Sequence, residues 1–277
     1  MRGAFQGAAR SQLRSPLPGS LGLRVVWSPR VDDRGVNTLG VDLASAAEHT
    51  ATCVIDWANG RASIRQLGVG ADDDAIAALA LSADAVGIDA PFGWPLPFME
   101  LLSGKARPST WTRDRRDELR FRATDHHVRR ITRRWPLSVS SDLIGVVAMR
   151  CHGLLQRLRS TNPTMHETVL EVYPAAALRR WDLPATAYKG AKNREALEQL
   201  VKMVMRVATW LEVPVESAQL LRTSDDAFDA LVSSLVARAA RVGLADLTPD
   251  DARSRSEGWI VLPRARSLSA LPGGREQ

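Results

Sequence analysis

Asp42, Asp89, Glu171 and the pair Asp226 and Asp229 are the residues of this 277-residue chain whose types and settings suit chemistry. Asp42 lies in Val36-Asn37-Thr38-Leu39-Gly40-Val41-Asp42-Leu43-Ala44 and Asp89 in Ala85-Val86-Gly87-Ile88-Asp89-Ala90-Pro91. Both segments read as an apolar run, a glycine, an apolar residue, an aspartate and a break. Glu171 stands near the end of a third apolar run that Pro174 stops. Asp226 and Asp229, three apart, share one face of a helix that Ser224 caps and Asp225 begins. An acid in an apolar segment is costly unless its charge is used or paired. If the strands adjoin, the acids gather at one sheet edge, repel one another and titrate high. A hard divalent cation, Mg²⁺ or Mn²⁺, relieves that repulsion through oxygen ligands. Two such ions about 4 Å apart stabilise the attacking and leaving oxygens of phosphodiester cleavage.

Each acid also has a plainer reading. Asp42 could cap a turn, and Asp89 could be a turn residue before Pro91. Glu171 could pair with Arg179 or with an arginine between Leu96 and Met165. Asp225 and Asp226 could answer the helix dipole. The joint pattern, four segments each delivering an acid to the same structural place, favours the cluster. Arg122 could clamp a phosphate or pair at the surface with Asp125 or Glu118. Lys189, in Tyr188-Lys189-Gly190, is a phosphate contact by charge or else a solvated lysine. His126 and His127 lack partner spacing for a metal.

These residues need strands and helices to place them. Strands are predicted over Val36–Leu43, Thr50–Trp57 and Arg61–Gly68, with an Asn59-Gly60 hairpin turn between the last two. Asp72 caps a helix to about Ser82, and 84–89 is a short apolar strand. The stretch from about 96 to 165 is too long for a loop and reads as an inserted helical lobe, with helices near 98–102 and 143–158. A strand ends at Glu171, and a short helix follows over Ala175–Trp181. Residues 193–211 form an amphipathic helix with Leu197, Leu200, Val204, Val207 and Leu211 inward. A last helix runs from Asp225 to about Val242, and Glu257-Gly258-Trp259-Ile260-Val261-Leu262-Pro263 reads as a final short strand. The fold class is therefore α/β. Residues 1–34, rich in Arg, Gly, Ser and Pro, read as a disordered extension. Residues 35–263 read as one domain and 264–277 as a fraying tail.

The net charge is +6, but residues 105–134 alone hold eleven Lys and Arg against four Asp and Glu. That patch suits a polyanion such as nucleic acid, or is simply a solvated surface. Trp111, Phe121 and Trp135 interleave with it, as base-stacking platforms or as the lobe's own core. Two cysteines without metal spacing suggest a reducing, cytoplasmic setting. No apolar run reaches membrane-spanning length, so no membrane partner is expected.

The motifs Gly40-Val41-Asp42-Leu43-Ala44, Gly87-Ile88-Asp89-Ala90-Pro91, Arg122-Ala123-Thr124-Asp125, Glu171-Val172-Tyr173-Pro174-Ala175, Asp226-Ala227-Phe228-Asp229-Ala230-Leu231 and Glu257-Gly258-Trp259-Ile260 occur in this order. The ordered set resembles domain-of-unknown-function family 429. That resemblance implies a ribonuclease H-like mixed sheet, three antiparallel strands then parallel ones, flanked by helices with a helical insertion. It also implies a Mg²⁺- or Mn²⁺-dependent nuclease. Asp42 then matches the first-strand acid and Asp89 the fourth-strand acid of such folds. Asp226 and Asp229 resemble the paired acids on the last helix of RuvC-like resolvases. These four would hold metal, and Glu171, in the family's own fifth-strand motif, would be a further ligand, a support behind the ligands or a substrate contact. Arg122, Asp125, Tyr173 and Lys189 are expected on the substrate side. Two other classes remain open: a non-catalytic nucleic-acid-binding or interaction module, and an actin-like or sugar-kinase-type phosphotransferase.

Overall fold

A computed structural model of the chain describes residues 35–106, 109–140, 144–246 and 248–273. The segment 1–34, expected to be disordered, lies outside the described residues, as do 274–277 of the expected tail.

Three consecutive strands open the fold: β1 (Val36–Asp42), β2 (Ala51–Ala58) and β3 (Arg61–Val69). They pair antiparallel in succession. Asn59 and Gly60 both take positive φ, 51° and 74°, which a two-residue hairpin turn of this kind requires. Helix α1 (Asp73–Ser82) follows, with the Asp72 carboxylate accepting from Ala75 N at 2.8 Å. Strand β4 (Ala85–Asp89) then pairs with β1 in parallel.

Four helices occupy the next stretch: α2 (Leu96–Leu102), α3 (Arg113–Arg120), α4 (Ala123–Thr132) and α5 (Gly145–Thr161). Strand β5 (Val169–Glu171) extends the sheet beside β4, and α6 (Pro174–Arg180) starts at the proline that stops it. Then come α7 (Arg194–Val207), β6 (Leu211–Glu212), α8 (Val215–Thr223), α9 (Asp225–Arg241) and α10 (Ala252–Glu257). The six strands lie in the order β5-β4-β1-β2-β3-β6. The result is a mixed sheet, antiparallel then parallel, flanked by helices.

Side chains alternate across the strands, so each face has its own cover. Leu39, Val41, Val86 and Ile88 pack against Ile76 of α1 and Cys151, Leu154 and Leu158 of α5. The opposite face lies under α9, which crosses β1, β2 and β4. Every residue of α9 from Ala227 to Ala239 is buried, with α6, α7 and α8 around it. Cys53 and Cys151 are buried free thiols. No helix among the described residues is long and apolar enough to cross a membrane.

Four expectations change. Helix α5 is no part of a separate lobe, because its apolar stripe closes one face of the sheet. Helix α7 ends at Val207, and Leu211 belongs instead to β6, parallel to β3. The pull is tertiary: Ala62 N donates to Trp210 O at 3.0 Å, and the Trp210 ring lies against Trp57. The expected strand over 257–263 is no regular strand, since Glu257 ends α10. Ile260 makes a single bridge to Glu171, with Val261 N donating to Glu171 O at 2.9 Å. The tail does not fray over 264–273. Leu268 and Leu271 are buried, and the Arg238 guanidinium donates to Leu271 O and Pro272 O.

Candidate functional site

Two glycines set the site's geometry. Gly40 and Gly87 are register partners on β1 and β4, and both face α9. A Cβ on Gly40 would collide with Ala230 O and Ser234 N, and one on Gly87 with Ser233 O. Helix α9 therefore rests backbone-to-backbone on the adjoining strands β1 and β4. Ser234 Oγ locks the contact through Thr38, as its Oγ lies 2.7 Å from Thr38 Oγ1 and donates to Thr38 O.

Two residues beyond each glycine, on the same face, come Asp42 and Asp89, also register partners. One helical turn before Ser233, and directly before Ala230, comes Asp229. Carboxylate oxygens of Asp42, Asp89 and Asp229 all lie within 4.8 Å of one another. Asp229 is fully buried. Its Oδ1 accepts from Tyr188 OH at 2.8 Å, and its Oδ2 is ion-paired with Lys189 Nζ.

Burial raises the Asp42 carboxyl well above the ordinary aspartate range; Asp229 and Asp89 add to this and Lys189 opposes it. Burial likewise pushes Asp89 up to about 7 against the pull of Lys189. Asp229 is raised by burial too, with Lys189 and Tyr188 opposing. Burial disfavours the Lys189 ammonium, but Asp229, Asp42 and Asp89 outweigh it and hold the charge firmly. Three oxygen donors, held close and short of positive charge, are able to hold a metal ion. The donor set, all carboxylate and without sulfur, fits a hard cation.

A cavity of about 230 Å³ opens over Asp42 and Asp89. Lys189, Tyr173, Arg122 and Glu171 line it together with an apolar wall of Pro136, Leu137, Ile144, Val147 and Ile260.

The other expected site residues are placed as follows. Asp226 sits one turn before Asp229, half-buried, its carboxyl raised by burial and by Asp225. It stays outside the group of three. Glu171 pairs in register with Ile88 rather than with Asp89. Strand alternation therefore turns it to the face opposite the triad. There it receives a bidentate pair from Arg122, at 2.7 and 3.0 Å, and accepts from Phe92 N at 3.1 Å. Burial raises the Glu171 carboxyl, and Arg122 opposes that rise.

Where the sequence offered Arg122 as a phosphate clamp or a surface pair, the structure buries it and engages every guanidinium nitrogen. They bond Glu171, both oxygens of Asp125, and Glu257 O. Asp125 is buried with it and accepts from Arg122 N at 2.8 Å. Tyr173 borders the cavity at the start of α6.

Sequence reasoning gave Tyr188 and Glu257 no role of their own. Tyr188 adjoins Lys189, and a tyrosine beside a charged candidate was the available signal. Glu257 is fully buried and accepts from Leu96 N, Ala123 N and Arg253 Nε, tying α2, α4 and α10 together. Glu257 opens the last motif, ahead of the apolar run Trp259-Ile260-Val261-Leu262, and that position was the available signal.

In the basic stretch, Phe121 stacks on Trp135 with centroids 4.2 Å apart, and His126 meets Trp135 edge-on. These rings pack on each other, whereas Trp111 is 71 % exposed. Arg115 pairs with Glu118 and Arg116 with Asp117.

The fold and site define an α/β protein whose adjoining strands and crossing helix converge on a carboxylate triad, with Asp229 buried and Asp42 and Asp89 partly so. The sequence pattern of the family "Protein of unknown function (DUF429)" matches residues 40–254, and the chain belongs to that family. The match includes all three triad residues and stops before Glu257. Comparison with curated proteins and comparison with solved structures find no match.

Proposed function

We propose that the protein is a divalent-metal-dependent phosphodiesterase of ribonuclease H-like fold that hydrolyses nucleic acid. The observation that carries this reading is the meeting of Asp42, Asp89 and Asp229 from two adjoining strand ends and one crossing helix. The strand order, three antiparallel strands then parallel ones, is compatible with that fold. Bound there, Mg²⁺ or Mn²⁺ supplies Lewis-acid polarisation of a phosphoryl oxygen and makes water nucleophilic near neutral pH.

The chain's own residues divide the remaining work. Asp42, Asp89 and Asp229 give the oxygens, and Asp226, close enough to raise the Asp42 carboxyl, assists. Tyr188 fixes the Asp229 carboxylate through one oxygen, so its other oxygen keeps a set direction. Lys189 borders the cavity and offers a phosphate its ammonium. Glu171 and Arg122 act as a strut. Through Phe92 N they hold the turn that follows Asp89, which keeps that aspartate aimed. The exposed arginines of α3 and α4 supply attraction for a polyanion.

The test is cleavage of DNA, RNA and branched substrates with Mn²⁺, wild type against Asp42→Asn. Cleavage by wild type and loss of at least about 100-fold in the variant is expected. Absence of cleavage of every substrate by wild type overturns the hydrolase reading. Salt-sensitive binding without cleavage or metal response would point instead to a binding module.

A further inference from the structure

Among the described residues, the cation ion-paired with the triad is Lys189, and its placement has consequences for any ion that enters. Asp229 has two oxygens. Oδ1 already accepts from Tyr188 OH at 2.8 Å. Oδ2 is the atom ion-paired with Lys189 Nζ. A metal ion that draws on Asp229 together with Asp42 and Asp89 needs the oxygen that the ammonium now holds. Two cations cannot share that position at contact distance without strong repulsion.

The loop around Lys189 is built for a side chain that can leave. Tyr188 is buried and anchored by its hydroxyl, and its ring packs edge-on against Phe228. Lys189 O accepts from Asn193 Nδ2 at 2.6 Å. Backbone on both sides is thus pinned, and Gly190 turns the chain with φ 84°. The Lys189 side chain, by contrast, is 55 % exposed. Its long unbranched stem has the rotatable bonds that let the ammonium reach a second position. Swung away from Asp229, it stays at the cavity that Asp42 and Asp89 also line.

Resting on the metal-binding reading above, we propose that Lys189 is the resident counterion of the triad. An entering divalent cation displaces it from Asp229, and the freed ammonium then turns to the cavity to meet a substrate phosphate. Lys189 thus has two stations, one for the metal-free site and one for the loaded site. No bond to carbon or phosphorus changes in this exchange; one cation replaces another on a carboxylate oxygen.

Two measurements test it without any activity assay. Mn²⁺ affinity is measured by titration calorimetry or by paramagnetic resonance for wild type and Lys189→Met. Removing the competing charge is expected to tighten Mn²⁺ binding about tenfold, the scale of changes made next to metal ligands. The wild-type chain, which has four lysines, is also labelled for observation of lysine side-chain nitrogens by NMR. The Lys189 ammonium signal is expected to be protected from water exchange without metal and to lose that protection as Mg²⁺ is added. If wild type binds Mn²⁺ but Lys189→Met binds it equally or more weakly, the exchange is overturned while the metal site stands. Persistence of the protected signal at saturating Mg²⁺ overturns it in the same way, and needs no variant. If neither protein binds Mn²⁺ or Mg²⁺, the metal reading itself falls and takes this inference with it.

Discussion

Asp89 titrates near 7 in the folded chain, against an ordinary value of 3.8, because burial disfavours its charge. Between those values the folded protein holds a proton that the unfolded chain has released. Stability therefore falls as pH rises from about 4 to about 7, and the loss is complete above that window. Thermal unfolding of metal-free wild type should show this fall, and Asp89→Asn should flatten it. Equal pH slopes in the two proteins would remove Asp89 as the cause. Metal affinity should run the other way, rising over the same window, since ligands must be deprotonated to bind. A second consequence concerns Arg122. Replacing it by Met strands Glu171 and Asp125, both buried, without a counter-charge. The expected loss is about 3–5 kcal/mol in urea unfolding. Adding Glu171→Gln and Asp125→Asn should recover part of it, and a loss below about 1 kcal/mol would show that the network bears little. At this scale the sequence was partly legible. The repeated Gly-x-Asp at strand ends is a local pattern and points straight to Asp42 and Asp89. The face that Glu171 occupies depends on which residue of β4 it meets, and nothing near position 171 states that register.

The glycines show how elements, rather than single acids, make the triad. Gly40 and Gly87 let α9 lie against β1 and β4, and only that close approach brings Asp229 within reach of strand-end carboxylates. Gly40→Ala should therefore cost about 1–3 kcal/mol or more through overpacking and should also abolish metal binding by lifting α9. Gly68→Ala is the control, since a Cβ there meets nothing within 4 Å. Circular dichroism during urea unfolding, with Mn²⁺ titration on each variant, separates the two. A Gly40→Ala protein that keeps its stability and its Mn²⁺ affinity would sink this account of the site. Most elements are readable from local pattern: the Asn59-Gly60 turn, the Asp72 and Ser224 caps and the stripe of α7 each state themselves within a few residues. What could not be read is partnership. Helix α5 looks like part of an insertion until the apolar face of the sheet is seen to need a cover. Leu211 continues a helical period but is claimed by the edge of β3. The last ten described residues look like a tail because the carbonyl acceptors that hold them face Arg238, far away in sequence.

Across the whole molecule the net positive charge is less available than a count of residues suggests. Arg115, Arg116 and Arg122 are spent on carboxylates within the fold. Arg129, Arg130 and Arg133 are exposed and have no carboxylate partner among the described residues. They sit on the second half of α4 and at its end, while Arg122, just before its start, borders the cavity. Seven to eleven helical steps separate them, roughly 10–16 Å along the axis. A single strand rising about 3.4 Å per nucleotide crosses that distance in roughly three to five steps. Under the proposed function, these arginines hold phosphates a few nucleotides from the bond at the triad. Arg129→Gln, Arg130→Gln and Arg133→Gln together should weaken binding of a ten-nucleotide strand at low salt. They should also lower the slope of log affinity against log salt by about 2, since each lost phosphate contact removes about 0.7 on a single strand. Mn²⁺ affinity should not change, because the triad lies elsewhere. Strands of two or three nucleotides should bind wild type and the triple variant alike, as they cannot reach from the triad to α4. An unchanged salt slope in the variant would place the nucleic-acid path on another face of the molecule, and a salt-independent wild type would leave the basic stretch as solvated surface.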